Sequence, residues 1–373
     1  MKKKVLTATL IIISSLIILL TYKKDNNVTF SDTSKNNNNI LSIMLETSSG
    51  SGNYQESLSN SFPRNGYIFN ENLSNCENGS KISWNEENKS VSVKSNKADK
   101  CHLYFDVYEP TLAEAIINLY TGTQGKNSIY YHDSNLTNGA GDNSYRYAGS
   151  DPDNYVCFGS DESTCPTDNL YRIIGVFEEN NHGVSGKKLV KIIKNDSYGT
   201  YEWHKKSGND WSIADLNKTL NSTFLTAQLS GYEDKIQSVA WKISGLGNES
   251  GVAKGIYTVE VANATKTYEA KVGLMYLSDY AYASSPSYWE TSVFKYTAEV
   301  VATNWLYLDN KTQWVLTRAS TDNYDVFSIT NDGYVNGDNN AFSLYEVKPT
   351  FYLISDILYA GGTGTLTDPY RTR

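Results

Sequence analysis

The four cysteines of this chain fall in two close pairs, Cys76 with Cys101 and Cys157 with Cys165. An even number in local pairs reads as a disulfide framework formed in an oxidising compartment. Of the three connectivities that four cysteines permit, the local one (Cys76–Cys101, Cys157–Cys165) is the expectation. Each bridge closes a modest loop, worth roughly 3 kcal/mol by chain-entropy arithmetic. Zinc binding fails on spacing, because no C-x2-4-C occurs and His102 beside Cys101 is a poor second ligand. A redox C-x-x-C is absent too, so the cysteines read as structural staples.

At the N-terminus, Lys2, Lys3 and Lys4 precede the uncharged run Val5–Tyr22. Its length reaches the lower limit for spanning a bilayer core of about 30 Å. It ends in Leu19-Leu20-Thr21-Tyr22-Lys23-Lys24, without the small residues of a signal-peptidase site. Residues 1–22 therefore read as an uncleaved signal anchor, with cleavage further downstream as the alternative. The implied location is the cell membrane, single-pass, with the C-terminal bulk outside. Residues 23–62, including Lys35-Asn36-Asn37-Asn38-Asn39 and Ser48-Ser49-Gly50-Ser51-Gly52-Asn53, read as a flexible polar linker.

Residues 63–109 read as a small β module. Ile82-Ser83-Trp84 and Val91-Ser92-Val93 flank the turn-prone Asn85-Glu86-Glu87-Asn88, and His102–Val107 supplies a third strand. Residues 110–373 read as one large unit. Thr111-Leu112-Ala113-Glu114 is a capping box, with Leu112, Ile116 and Leu119 on one helical face. A second helix is expected from Ser212-Ile213-Ala214-Asp215, with Trp211 stapled onto Leu216 and with Ile213, Leu216, Leu220 and Phe224 in helical spacing. Strands are expected at Tyr171–Phe177, Leu189–Lys194, Ile256–Val261, Gln313–Leu316, Asp325–Ile329 and Phe351–Ile354. Two helices among many short strands and polar loops give an α+β domain, mostly β.

Several stretches of the large unit resemble an uncharacterised domain family of surface proteins from Firmicutes. They include Tyr131-His132-Asp133, Asp142-Asn143-Ser144-Tyr145-Arg146-Tyr147, Asn154–Ser160, Asn169–Phe177 and Ser278–Ala283. The C-terminal signature runs through Trp314-Val315-Leu316-Thr317-Arg318, Asp332-Gly333-Tyr334-Val335, Val347-Lys348-Pro349, Tyr352-Leu353, Gly361–Thr365 and Asp368-Pro369-Tyr370. The family more often has Arg-Pro where this chain has Lys348-Pro349. The Cys76–Cys101 module resembles one found ahead of this domain. More distantly, the tail is similar to the C-type-lectin-like fold of sulfatase-modifying factors, the formylglycine-generating enzymes. The resemblance implies a C-type-lectin-like domain and supplies no reaction.

Chemistry is harder to find. A net charge of −8, from 33 basic and 41 acidic side chains, argues against nucleic acid as a partner. The four His are scattered, no G-x-S-x-G, P-loop or dinucleotide fingerprint occurs, and no Cys follows Cys165 for redox chemistry of the sulfatase-modifying type. His182, in Asn180-Asn181-His182-Gly183, reads as solvated. No cofactor is expected. Calcium is a weaker idea, resting on Asp133, Asn135, Asn138 and Asp142 and on Asp332, Asn336, Asp338 and Asn340. Neither set has EF-hand spacing.

Aromatic side chains are the other ligand candidates, since flat rings stack on sugars and suit protein recognition. Trp203, Tyr288, Trp289 and Tyr334 are the positions singled out, with Trp289 weighed equally as core. Tyr280 and Tyr282 read as packing residues on a strand. Trp314, Arg318 and Lys348 read as structural, the two cations each pairing a buried carboxylate or carbonyl. Together these readings favour a membrane-anchored binding or adhesion module for a glycan or surface protein. The alternatives are an envelope glycan hydrolase with an unlocated carboxylate pair and a non-catalytic envelope scaffold.

Overall fold

The computed structural model describes residues 30–32, 40–59, 62–63, 66–85, 88–94, 98–206, 208–247 and 251–373. It is mostly β with few helices, carries both local disulfides, and divides into two compact units, 1–109 and 110–373.

Among its described residues the first unit holds two sheets. In the four-stranded one, Lys100–Val107 lies between Ile40–Glu46, parallel, and Tyr67–Cys76, antiparallel, while Tyr54–Glu56 extends the far edge. Cys76 and Cys101 are register partners across that ladder, which is why the bridge closes there. The hairpin forms as expected, with Trp84 opposite Val91 and Ile82 opposite Val93, and Phe30–Asp32 joins it. Ile43, Phe62, Val91, Leu103 and Phe105 make the core, and the Trp84 ring stacks on Phe69.

Two expectations are corrected here. The stretch read as linker contributes the strands Ile40–Glu46 and Tyr54–Glu56. The apolar Ile40-Leu41-Ser42-Ile43-Met44-Leu45 is short enough to vanish among the polar residues around it. Ser48–Asn53 is the turn between those strands, closed by Thr47 N–H donating to Asn53 O at 2.8 Å, with Gly50 and Gly52 at positive φ. The single-pass membrane location is also withdrawn. Among the described residues no helix is long and apolar enough to cross a membrane, and the run Val5–Tyr22 lies outside them.

The second unit is built on an eight-stranded sheet whose main path runs Ile236–Gln237, Thr350–Leu353, Leu189–Lys194, Leu170–Phe177, Tyr145–Tyr147, Ile129–Tyr131. Leu170–Phe177 and Leu189–Lys194 are buried along their whole length, so both are largely apolar rather than alternating, and the charges they carry at Arg172, Lys191 and Lys194 are buried with them. A five-stranded sheet orders Gly199–Glu202, Leu344–Val347, Gln313–Arg318, Asp325–Ile329, Val335–Asn340. The Thr111 capping box is complete, and Leu112 and Ile116 face the core. The unit closes on itself, for Tyr359 N–H donates to Pro110 O at 2.9 Å and Leu112 N–H to Ile357 O at 2.9 Å.

Helix boundaries differ from expectation where competing caps win. Asp210, not Ser212, caps a 3-10 turn at Trp211–Ile213, and the α-helix begins at Asp215. Trp211, Leu216, Leu220 and Phe224 are buried as expected, whereas Ile213 is 55% exposed. Ile256–Val261, expected as a strand, belongs to a helix Ala253–Tyr257 continued by a π-helical turn Thr258–Ala262. Ile256, Tyr257, Glu260 and Val261 share its buried side, a helical spacing that their β-branched neighbours disguise. Tyr280 and Tyr282 likewise sit on the helix Leu277–Ala283, with both rings buried.

Candidate functional site

A cleft of about 480 Å³ opens beside the loop that joins Ile129–Tyr131 to Tyr145–Tyr147. Its lining includes Asp142 and Ala140 from that loop, Glu179 and Asn180 from the short helix Glu179–His182, Lys242 at a strand end, and Tyr257. Gly183, at φ 77°, ends the short helix and turns the chain away from the opening. Asn180 and Glu179 are exposed, so they form the rim. Asp142 is buried at 7% exposure and forms the floor.

The floor is pinned by a buried ionic chain. Arg146 Nη2 donates to Asp142 Oδ2 at 2.7 Å and its Nε to Ser144 Oγ at 2.8 Å. Asn181 donates to the same Asp142 oxygen at 2.9 Å, and Ser144 Oγ donates to the other at 2.6 Å. Further in, Arg146 Nη1 lies 3.7 Å from Asp279 Oδ1, and Lys191 Nζ lies 2.5 Å from Asp279 Oδ2. Two acids and two cations alternate, so the chain is neutral as a whole. The guanidinium is enclosed by Phe177, Tyr257 and Tyr282 rings at 4.6, 5.2 and 5.1 Å. Cation–π attraction and the ion pairs together offset its desolvation.

Each titration follows from this packing. Burial would push the Asp142 carboxyl up, but Arg146 and the hydrogen bonds hold it far below the usual carboxylate range. Burial and the Asp142 charge push the Tyr257 hydroxyl well up, so it stays a neutral donor. At the rim, the Gly186 N–H donating at 2.9 Å draws Glu179 down. Burial draws the Lys242 ammonium down. Glu260 is raised by burial, although its oxygens accept from Leu277 N–H at 3.0 Å, Ser278 N–H at 2.9 Å and the Thr317 hydroxyl.

Two histidines flank this core. His132 Nδ1 accepts from Ala140 N–H at 3.1 Å, and its ring meets Tyr282 edge-on. His182 is fully buried rather than solvated. Its Nδ1 accepts from Val184 N–H at 3.1 Å, which leaves Nε2 to donate to Phe177 O at 3.2 Å, and burial pushes its pKa down to about 4.

The aromatic candidates disperse. Trp203 is fully buried, as is Trp289, whose Nε1 donates to Tyr282 O and Ser284 O at 3.2 and 3.1 Å. Tyr288 is half-buried and donates to Glu299 at 2.9 Å, so of the four only Tyr334, 39% exposed, stands open. None of them lines the cleft. A half-buried aromatic cluster forms at Tyr120, Tyr131 and Tyr145, with the last two stacked at 4.5 Å between centroids. The signal for this patch is the tyrosine content of two neighbouring segments, Tyr130-Tyr131 and Tyr145-Arg146-Tyr147. Tyr131 and Tyr145 become register partners on adjacent strands.

Among the structural candidates, Trp314 is buried and donates to Tyr201 O at 2.9 Å. Arg318 reaches the carbonyls of Ile243 and Ala319, each at 3.3 Å. Lys348 is buried, yet among the described residues its ammonium has neither a hydrogen-bond acceptor nor an ion-pair partner, contrary to expectation. Asp332 accepts from the Thr330 hydroxyl at 2.5 Å, Asn336 accepts from Asp338 N–H at 3.1 Å, and Asp133 accepts from Asn135 N–H at 3.0 Å. These oxygens serve local turns, and no group of three or more His, Cys, Asp or Glu able to hold a metal occurs among the described residues.

No protein-family model, no curated protein and no solved structure matches the chain.

Proposed function

We propose that the second unit is a binding module for a polar ligand of the glycan class, seated in the cleft over Asp142. The observation that carries this reading is the lining: carboxylate acceptors at Asp142 and Glu179, a cationic donor at Lys242, an amide at Asn180 and a ring at Tyr257, within about 480 Å³. That volume suits one or two sugar rings, and mixed donors and acceptors beside an aromatic face suit hydroxyl-rich surfaces. The neutral ionic chain beneath fixes the floor before any ligand arrives, which lowers the ordering cost of binding.

Glycan hydrolysis is less well supported by the same residues. A glycosidase needs one carboxyl raised so that it holds a proton for the leaving group. Asp142 and Glu179 are both drawn the other way. We further read the unit as C-type-lectin-like and akin to the Firmicutes surface-protein domain. The support is the set of separated motifs together with the hydrogen-bonded meeting of its first and last segments.

A glycan array probed with the folded chain tests the reading. We expect a bound glycan whose affinity falls roughly tenfold in Glu179→Gln and in Lys242→Met, the loss of one charged hydrogen bond each. We also expect a chelator to leave binding unchanged. A blank array, or binding indifferent to both substitutions, would count against the cleft.

A further inference from the structure

We propose that Lys191 Nζ and Asp279 Cγ become joined by an intramolecular amide bond, formed by the folded unit itself. Lys191 lies in the central strand Leu189–Lys194 and Asp279 near the start of the helix Leu277–Ala283, 88 residues away in sequence. Their side chains are 0% and 1% exposed, and Nζ lies 2.5 Å from Oδ2. A contact that close brings Nζ near the separation of about 3–3.5 Å from which reacting atoms proceed.

Aromatic rings enclose the amine end of the pair, while Asp279 Oδ2 also accepts from Tyr276 N–H at 2.8 Å. Tyr276 lies 4.2 Å from Nζ, with Tyr352, Trp241 and Phe177 at 5.4, 5.5 and 5.6 Å. Those rings leave the Lys191 ammonium unhydrated, and the short contact gives its proton a direct path from Nζ to Oδ2. Burial accordingly draws the Lys191 ammonium down. Competing hydrolysis is suppressed because water does not reach the pair.

The step balances without a co-reactant. In the proposed step Nζ first passes one proton to Oδ2; its lone pair then attacks Cγ, and charge gathers on Oδ1, which faces Arg146 Nη1 at 3.7 Å. The Nζ–Cγ bond forms, the Cγ–Oδ2 bond breaks, and Oδ2 leaves as water with its own proton and one from Nζ. Glu260, a second buried carboxyl, accepts from Leu277 N–H and Ser278 N–H just ahead of Asp279 and offers a proton carrier at the same helix end.

The test is the mass of the reduced, denatured full chain, followed by peptide mapping. The expected result is a chain lighter than its sequence by one water, and a branched peptide joining the segments that carry Lys191 and Asp279. Lys191→Met should restore the sequence mass and abolish the branched peptide. A natively folded wild-type chain of full sequence mass would overturn the proposal. So would a water lost without a branched peptide at these two residues. Because the wild-type map alone decides, a variant that failed to fold would not blunt the test.

Discussion

A lysine without a hydrogen-bonding partner is the most informative single residue outside the cleft. Burial pushes Lys348 down to about 7 from its ordinary 10.5, with the Arg172 charge adding to the effect. Below pH 7 the folded and unfolded chains both carry the proton, and the fold bears the whole cost of burying it. Between about 7 and 10.5 the unfolded chain binds a proton that the folded chain has released, so stability should climb with pH across that window. Lys348→Met should remove the slope and raise stability at neutral pH by about 1–3 kcal/mol, the desolvation cost of a buried polar group left unpaired. Urea unfolding at pH points of roughly 6, 7.5 and 9, chosen to bracket that transition, would check both. The sequence reads Lys348 as a structural cation but does not show that it lacks a pairing group, and it does not distinguish His182 from a loop histidine. Their burial is decided by strands far away in the chain, which local polarity does not reveal.

At the scale of elements, the pairing of Leu170–Phe177 with Tyr145–Tyr147 sets the position of Arg146 and hence of the cleft floor. Gly175 is the register partner of Arg146, and a bulge separates it from Ile173. A Cβ there would overlap the Tyr145 carbonyl oxygen. Gly175→Ala should therefore destabilise the unit by about 1–3 kcal/mol and weaken glycan binding along with it, as read by denaturant midpoint and array signal. Strands are legible in the sequence where β-branched and apolar residues cluster, as at Leu189–Lys194, and helices where a capping box stands ahead of them, as at Thr111. The helix Ala253–Tyr257 is not, because Val259 and Val261 mimic a strand and the deciding fact is a carboxylate, Glu260, serving the next helix. The cleft itself escapes the sequence altogether. Asp142 stands out only as a loop acid, Glu179, Lys242 and Tyr257 do not stand out at all, and it is the packing of separate helices and strands that brings the four together.

Across the molecule, the two disulfides have different duties. Cys76–Cys101 spans 25 residues in the smaller unit, where few apolar side chains make the core, and Cys157–Cys165 spans 8 in the larger. Loop-closure arithmetic gives losses of roughly 3.5 and 2.5 kcal/mol for their removal. A paired Cys→Ser exchange at 76 and 101 should thus unfold the smaller unit first on heating, while the same exchange at 157 and 165 should leave two transitions, the higher one lowered. Calorimetry separates these outcomes. The hydrogen bonds that close the larger unit carry a further consequence. Pro110 and Arg373 both bond to the short stretch Leu358-Tyr359, so the two ends of this unit lie at one spot. Such a body is like a bead on a doubled thread: it could be spliced into a surface loop of another protein without prising the host's strands apart.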